Sequence, residues 1–191
     1  PIASDTVVVS AASGAVGSIA AQLAKLAGAR VIGIAGGPVK VAYLTDTLGL
    51  DAAIDYKNED VEARLRKTCP DGIDLYFDNV GGDIFSHVLG QINYQGRVVV
   101  CGGISPYGGS MAGQGPSNFL SVVTHSLTIQ GFTMRDYMHR IPEALEWLSG
   151  AWKSDQLIFR EHLIHGIERF PDAFEMLFTG QNHGKLLLKI N

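Results

Sequence analysis

The chain has little cysteine: Cys69 and Cys101 are its only two in 191 residues. Two isolated thiols build no disulfide framework and lack the spacing of a zinc cluster. Charge is sparse as well. Acidic and basic residues make 18% of the sequence and leave a net charge of -4, which argues against a general binder of nucleic acid or other polyanions. No apolar run is long enough to cross a membrane as a helix, and no secretory leader opens the chain; a soluble, cytoplasmic protein is expected. Ser-His-Asp sets, paired carboxylates and metal-ligand clusters are absent as sequence patterns. His162 and His165 stand close together, but in a strand they face opposite sides. What remains is a chain that is 46% hydrophobic, enough for a substantial core in about one domain plus an appendage.

Against these absences stands one dense stretch, residues 6–36, TVVVSAASGAVGSIAAQLAKLAGARVIGIAG. Its opening run, Thr6, Val7, Val8 and Val9, is β-branched and apolar on both faces, the pattern of a strand buried within a parallel sheet. Ala12, Gly14 and Gly17 then take the three places of the fingerprint G-x-G-x-x-G, with alanine in the first. In that motif the middle glycine admits a pyrophosphate to the backbone and the last lets the helix pack tightly on the strand. A helix over 18–27 points its positive end at the turn, where an anion is favoured. Ile19, Leu23 and Leu26 form its apolar stripe. A second buried strand over 30–35 completes a βαβ unit, the context the motif requires. Gly14, Ala15, Val16, Gly17 and Gly36 are the candidate contacts here.

The alternation continues. The sequence predicts a helix over 39–48, a strand over 52–55, a charged helix over 59–68, a strand over 73–77, a helix over 84–89 and, after a turn at Gly96, a strand over 97–101. This order predicts an α/β fold with a doubly wound parallel sheet of Rossmann type and right-handed crossovers. Residues 102–117, GGISPYGGSMAGQGPS, form a long loop of the kind that more often carries function. A short helix over 119–124, a last strand over 126–132 and a closing helix over 134–148 follow, with Pro142 set against the continuity of that helix. From residue 154 the tail reads as a strand (157–164), a helix opening at Pro171 with Phe174, Leu177 and Phe178 on one stripe, and a strand (185–190). Composition leaves open whether this β-α-β tail extends the sheet or belongs to another domain. The chain opens at Pro1 and reaches a core strand almost at once, so a piece of a longer protein is expected.

The end of the second strand bears on the ligand. NAD-binding folds place an Asp or Glu there for the ribose 2'-hydroxyl. Here the strand ends in Ala35, Gly36, Gly37 and Pro38, and Lys40 follows. A cation without a carboxylate favours a 2'-phosphate, as in NADP(H).

The runs AASGAVGSIAAQLAKLAGARVIGIAGGPVK, AAIDYK, DLYFDNVGG, GRVVVCGGISPY, GF and GQNHGKLLLKI are ordered and span the chain. Together they resemble the zinc-independent medium-chain dehydrogenase/reductases, most closely the prostaglandin, leukotriene and 2-alkenal reductase branch. The resemblance implies an NADP-binding Rossmann domain over 1–153. It also implies that segment 154–191 returns to a GroES-like catalytic domain whose first part lies outside this chain. Lys40 and Tyr56 match family contacts to the 2'-phosphate, while Gly37 stands where the family carries serine. Asn79, Val80, Cys101, Gly102, Ile104, Ser105, Phe132 and Asn182 match cofactor contacts, and Tyr107 is the match closest to the nicotinamide and to chemistry. Gly108 follows where the family has asparagine. The implied reaction moves a hydride from NADPH to the β-carbon of an α,β-unsaturated ketone or aldehyde without metal. A quinone reductase or a non-catalytic NADPH-binding protein of the same fold are the alternatives. The family also implies a homodimer formed through the edge strand 126–132.

Overall fold

The computed structural model of the chain describes residues 1–103 and 115–190. β1 (Thr6–Val9), β2 (Arg30–Ala35), β3 (Ala52–Asp55), β4 (Ile73–Asp78), β5 (Ile92–Val100) and β6 (Thr128–Gly131) form one sheet in the order β3-β2-β1-β4-β5-β6. All neighbouring pairs are parallel. The alternation of side chains along β1 explains its burial on both faces. Val7 and Val9 join one core cluster with Ala21 and Ala24 of α1 (Ala15–Leu26), whereas Val8 joins the other with Leu65 of α3 (Val61–Thr68) and Leu89 of α4 (Gly82–Leu89). Helices therefore cover both faces, as the doubly wound reading requires. The winding direction reverses between β1 and β4, which opens a crevice at their carboxyl ends.

The stripe expected to bury α1 is not the one that does. Ile19 and Leu23 are half-buried and Leu26 is exposed, while Gly17, Ser18, Ala21, Gln22 and Ala24 meet the core. A Cβ at Gly17 would fall on the Ala11 carbonyl, so the helix lies too close to the strand for leucine and only small side chains fit. The same close approach starts the helix at Ala15, directly behind Gly14. Other boundaries move for local reasons. α2 (Pro38–Ala42) gives way to a π-helical turn at Tyr43–Thr47 that buries both Tyr43 and Leu44, where the sequence predicts a single helix. Asp60 accepts from the Ala63 amide at 3.0 Å and so starts α3 at Val61. Beyond α5 (Ser121–Thr124), the single closing helix divides into a 3-10 segment, Met134–Arg140, and α6 (Ile141–Lys153). Pro142 lies in the first turn of α6, where its missing N–H breaks no helical bond.

The tail neither extends the main sheet nor stands apart from it. β7 (Glu161–His165) and β8 (Lys185–Lys189) pair in parallel as a separate sheet joined through α7 (Phe170–Thr179). Gly184 makes a parallel bridge to Gly14 and so docks the tail on the β1–α1 turn. Residues 157–160, predicted as strand, are held by a side chain instead. Gln22 accepts the Ile158 amide at 2.7 Å and donates to the Ile158 carbonyl at 3.0 Å, standing in for a strand neighbour. Trp152, Phe159, Leu163, Ile167, Phe170 and Phe174 remain exposed. No described helix is long and apolar enough to cross a membrane.

Candidate functional site

The crevice holds a cavity of about 620 Å³, within the size range of cofactor clefts. Gly14, Ala15, Val16 and Gly17 line it at the β1–α1 turn. α1 has no side-chain cap and no acid in its first turn, so no side chain neutralises the positive end of the helix, and an anion is favoured there.

Gly36, Lys40 and Tyr56 line the cavity on the β2–β3 side. Lys40 is only 9% exposed, and its Nζ donates to the Gly180 carbonyl at 2.7 Å. Nearby, Lys57 Nζ donates to the Thr179 carbonyl at 3.4 Å, and the Arg160 guanidinium lies 4.8 Å from the centre of the Tyr43 ring. Burial, together with the charges of Lys57 and Arg160, pulls the Lys40 ammonium below its ordinary value. His183 is also pulled down, by burial first and then by Lys40, Arg160 and His162. Among the described residues Lys40, Lys57 and Arg160 make no ion pair. Asp55, at the end of β3, is taken up by other donors: the Gly37 amide at 2.7 Å, the Lys57 amide at 3.0 Å and Asn58 Nδ2 at 2.7 Å. Burial pushes the Asp55 carboxyl up, but these donors and the charge of Lys57 outweigh it and hold the group below its ordinary value. The carboxylate thus shapes the loop and engages the charge of Lys57, while the Lys40 ammonium, held by a carbonyl, keeps its charge for a phosphate.

Gly37 has φ +91° and ψ 151°, a backbone region that costs any other residue about 1–3 kcal/mol. The serine found there in the family would add a donor at that cost. Gly37→Ser is therefore expected to destabilise the fold by about 1–2 kcal/mol in denaturant titration.

Asn79, Val80 and Asn182 complete the cavity from β4 and the tail. Asn79 Nδ2 is already turned to the Ser10 carbonyl at 2.7 Å and Asn182 Nδ2 to the Gly184 carbonyl at 3.1 Å. Cys101 and Gly102 are not brought into this cavity. Their amides donate to the Asp78 carbonyl at 2.8 and 3.2 Å, and Gly102 lines a neighbouring space of about 300 Å³ with Gly81 and Phe85. Burial, then the charge of Asp78, pushes the Cys101 thiol up. Phe132 lies past β6, edge-on to Tyr137 at 6.0 Å between ring centres, and is also outside the cavity. Ile104, Ser105 and Tyr107 lie outside the described residues. Sequence reasoning missed Gly180, Leu177 and Leu186, which the tail contributes to the cavity wall; the left-handed glycine ending α7, φ 64°, was the available signal for the first. It also missed Asp78. Among the described residues no group of His, Cys, Asp or Glu could hold a metal ion; His162 instead has its ring 6.1 Å from that of His183.

Comparison with known proteins adds a lineage. Residues 15–150 match the family described as zinc-binding dehydrogenase. The chain is 40% identical to a tobacco (Nicotiana tabacum) 2-alkenal reductase (NADP(+)-dependent), covering 100% of this chain and 56% of that protein. It is 38% identical to the NADPH-dependent curcumin reductase of Escherichia coli, again over 100% of this chain and 56% of the other. The crystal structure of CurA from Vibrio vulnificus in complex with NADPH superposes with a TM-score of 0.94 at 41% identity, covering 100% of this chain and 58% of that one. The chain thus spans somewhat more than half the length of these relatives. With its parallel sheet, glycine turn and colinear motifs, it belongs to the zinc-binding dehydrogenase family.

Proposed function

We propose that this chain binds NADPH and forms the cofactor half of an enzyme that reduces the C=C bond of α,β-unsaturated ketones or aldehydes. The observation that carries the reading is the nearly buried Lys40 ammonium, which lines one end of a glycine-floored cavity and, among the described residues, makes no ion pair. A dinucleotide with a 2'-phosphate fits that donor set: the uncapped α1 turn suits its pyrophosphate, and Lys40 and Tyr56 suit the extra phosphate. The relatives named for alkenal and curcumin reduction with NADPH support the substrate class. When bound, NADPH supplies a hydride and becomes NADP+, which carries one more positive charge on its ring.

The protein's own groups bind and orient. Gly14–Gly17 receive the pyrophosphate, Gly36 leaves room beside Tyr56, and Asn79, Val80, Asn182 and the β5 end at Cys101 and Gly102 hold the far half of the cofactor. Ile104, Ser105 and Phe132 complete that half in this reading. Tyr107 and the ribose hydroxyl of the cofactor are the candidate donors to the enolate oxygen that develops on the substrate, with solvent as the source of the α-carbon proton. The exposed aromatic face of segment 154–191 is read as a surface for a GroES-like domain, and β6, an edge strand, as the seam of a homodimer. The non-catalytic alternative is tested by NADPH oxidation in the full-length protein with a simple enone. Turnover supports the reading, and none across a broad enone panel overturns it.

A further inference from the structure

Asp78 closes β4 with its side chain 1% exposed, and among the described residues it makes no ion pair. Neutral donors hold it instead. One carboxylate oxygen, Oδ1, accepts from the Tyr76 hydroxyl at 2.7 Å, Ser10 Oγ at 3.1 Å, and the Val80 and Gly81 amides at 3.0 Å each. Ser10 Oγ in turn accepts the Asn79 amide at 2.8 Å. The Asp78 carbonyl takes the amides of Cys101 and Gly102. The carboxyl ends of β1, β4 and β5 thus meet at one residue. Hydrogen bonds from neutral groups stabilise an anion without cancelling its charge. That charge is felt around it: burial first, and then Asp78, raises both the Tyr76 hydroxyl and the Cys101 thiol.

A dinucleotide anchored over the β1–α1 turn, with its 2'-phosphate toward Lys40 on the β2 side, runs its other half over the ends of β4 and β5. We propose that the Asp78 carboxylate, fixed at those ends by neutral donors alone, favours the oxidised, positively charged form of the bound cofactor over the reduced one. It acts through its field and touches no reacting atom. In a reductase this tilts the bound couple toward hydride donation, and the phosphate charges, common to both forms, drop out of the comparison. The inference rests on the NADPH reading given above.

Calorimetric titration of the chain with NADP+ and with NADPH separately tests it. Asp78→Asn keeps an acceptor for the four donors and removes the charge; it is expected to weaken NADP+ relative to NADPH by about five- to tenfold, the size of a charge-to-charge interaction some distance apart in a partly solvated site. Asp78→Ser, a smaller neutral replacement, is expected to shift the ratio the same way, and a thermal melt identifies which variants fold. Tyr76→Phe removes a donor but leaves the charge, so its ratio stays at the wild-type value. If the neutral variants leave the ratio unchanged, or Tyr76→Phe moves it equally, Asp78 is only structural and the proposal is overturned. If the wild-type chain binds neither form, it is the NADPH reading that fails, and this inference falls with it.

Discussion

Lys40→Met is expected to weaken NADPH binding by about 10- to 100-fold while leaving NADH within about threefold of wild type, because a charge-assisted bond to a phosphate contributes roughly 1.5–3 kcal/mol and tenfold in affinity is about 1.4 kcal/mol. Methionine keeps the aliphatic stem of this nearly buried side chain and removes only the ammonium. The substitution also removes the bond to the Gly180 carbonyl, so a stability loss of about 1 kcal/mol accompanies it. That loss acts on both cofactors, whereas the loss of charge acts on NADPH alone. The difference between the two affinities, read by titration of nicotinamide fluorescence, therefore isolates the electrostatic part.

The second large effect lies at the turn. Gly17→Ala places a methyl group on the Ala11 carbonyl, where backbone has to move, and is expected to destabilise the chain by about 2–3 kcal/mol in denaturant titration. Because the turn it displaces also floors the cavity, NADPH affinity is expected to fall by at least about tenfold. Gly150→Ala is the contrast. Nothing lies within 4 Å of the added methyl inside α6, one turn before its C-cap Ser154, and the change is expected to stabilise by about 0.5–1 kcal/mol. A Gly17→Ala variant as stable as wild type would show that α1 does not depend on this close approach.

The β1–α1–β2 unit was legible in the sequence because its signals are local: a β-branched run, three small residues at fixed spacing, a second β-branched run. The parallel, doubly wound character of the sheet followed from alternation. The buried face of α1 was misread because its leucines are conspicuous while the selection there is for smallness, which only the distance to Ala11 reveals. Pro142 was weighed as a breaker of a helix when it sits at the start of one. The cavity lining was legible where a motif marks it, at Gly14, Gly17 and Lys40. It was not where partners are far apart in sequence. Lys40 meets Gly180 across 140 positions and Ser10 meets Asp78 across 68, and neither pairing leaves a trace in spacing or composition. The tail was ambiguous for the same reason, since it docks through residues far apart in sequence: Gly14 with Gly184, Gln22 with Ile158, Lys40 with Gly180 and Arg160 with Tyr43.

On the reading proposed above, a cavity floored by Gly14–Gly17 and charged by Lys40 selects a dinucleotide carrying a 2'-phosphate. Titrating the wild-type chain with NADPH and with NADH under identical buffer and salt tests it most directly. Saturable binding is expected, with NADPH tighter by at least about tenfold, the least that one charge-assisted phosphate contact supplies. Equal or tighter binding of NADH, or no binding of either, would contradict it.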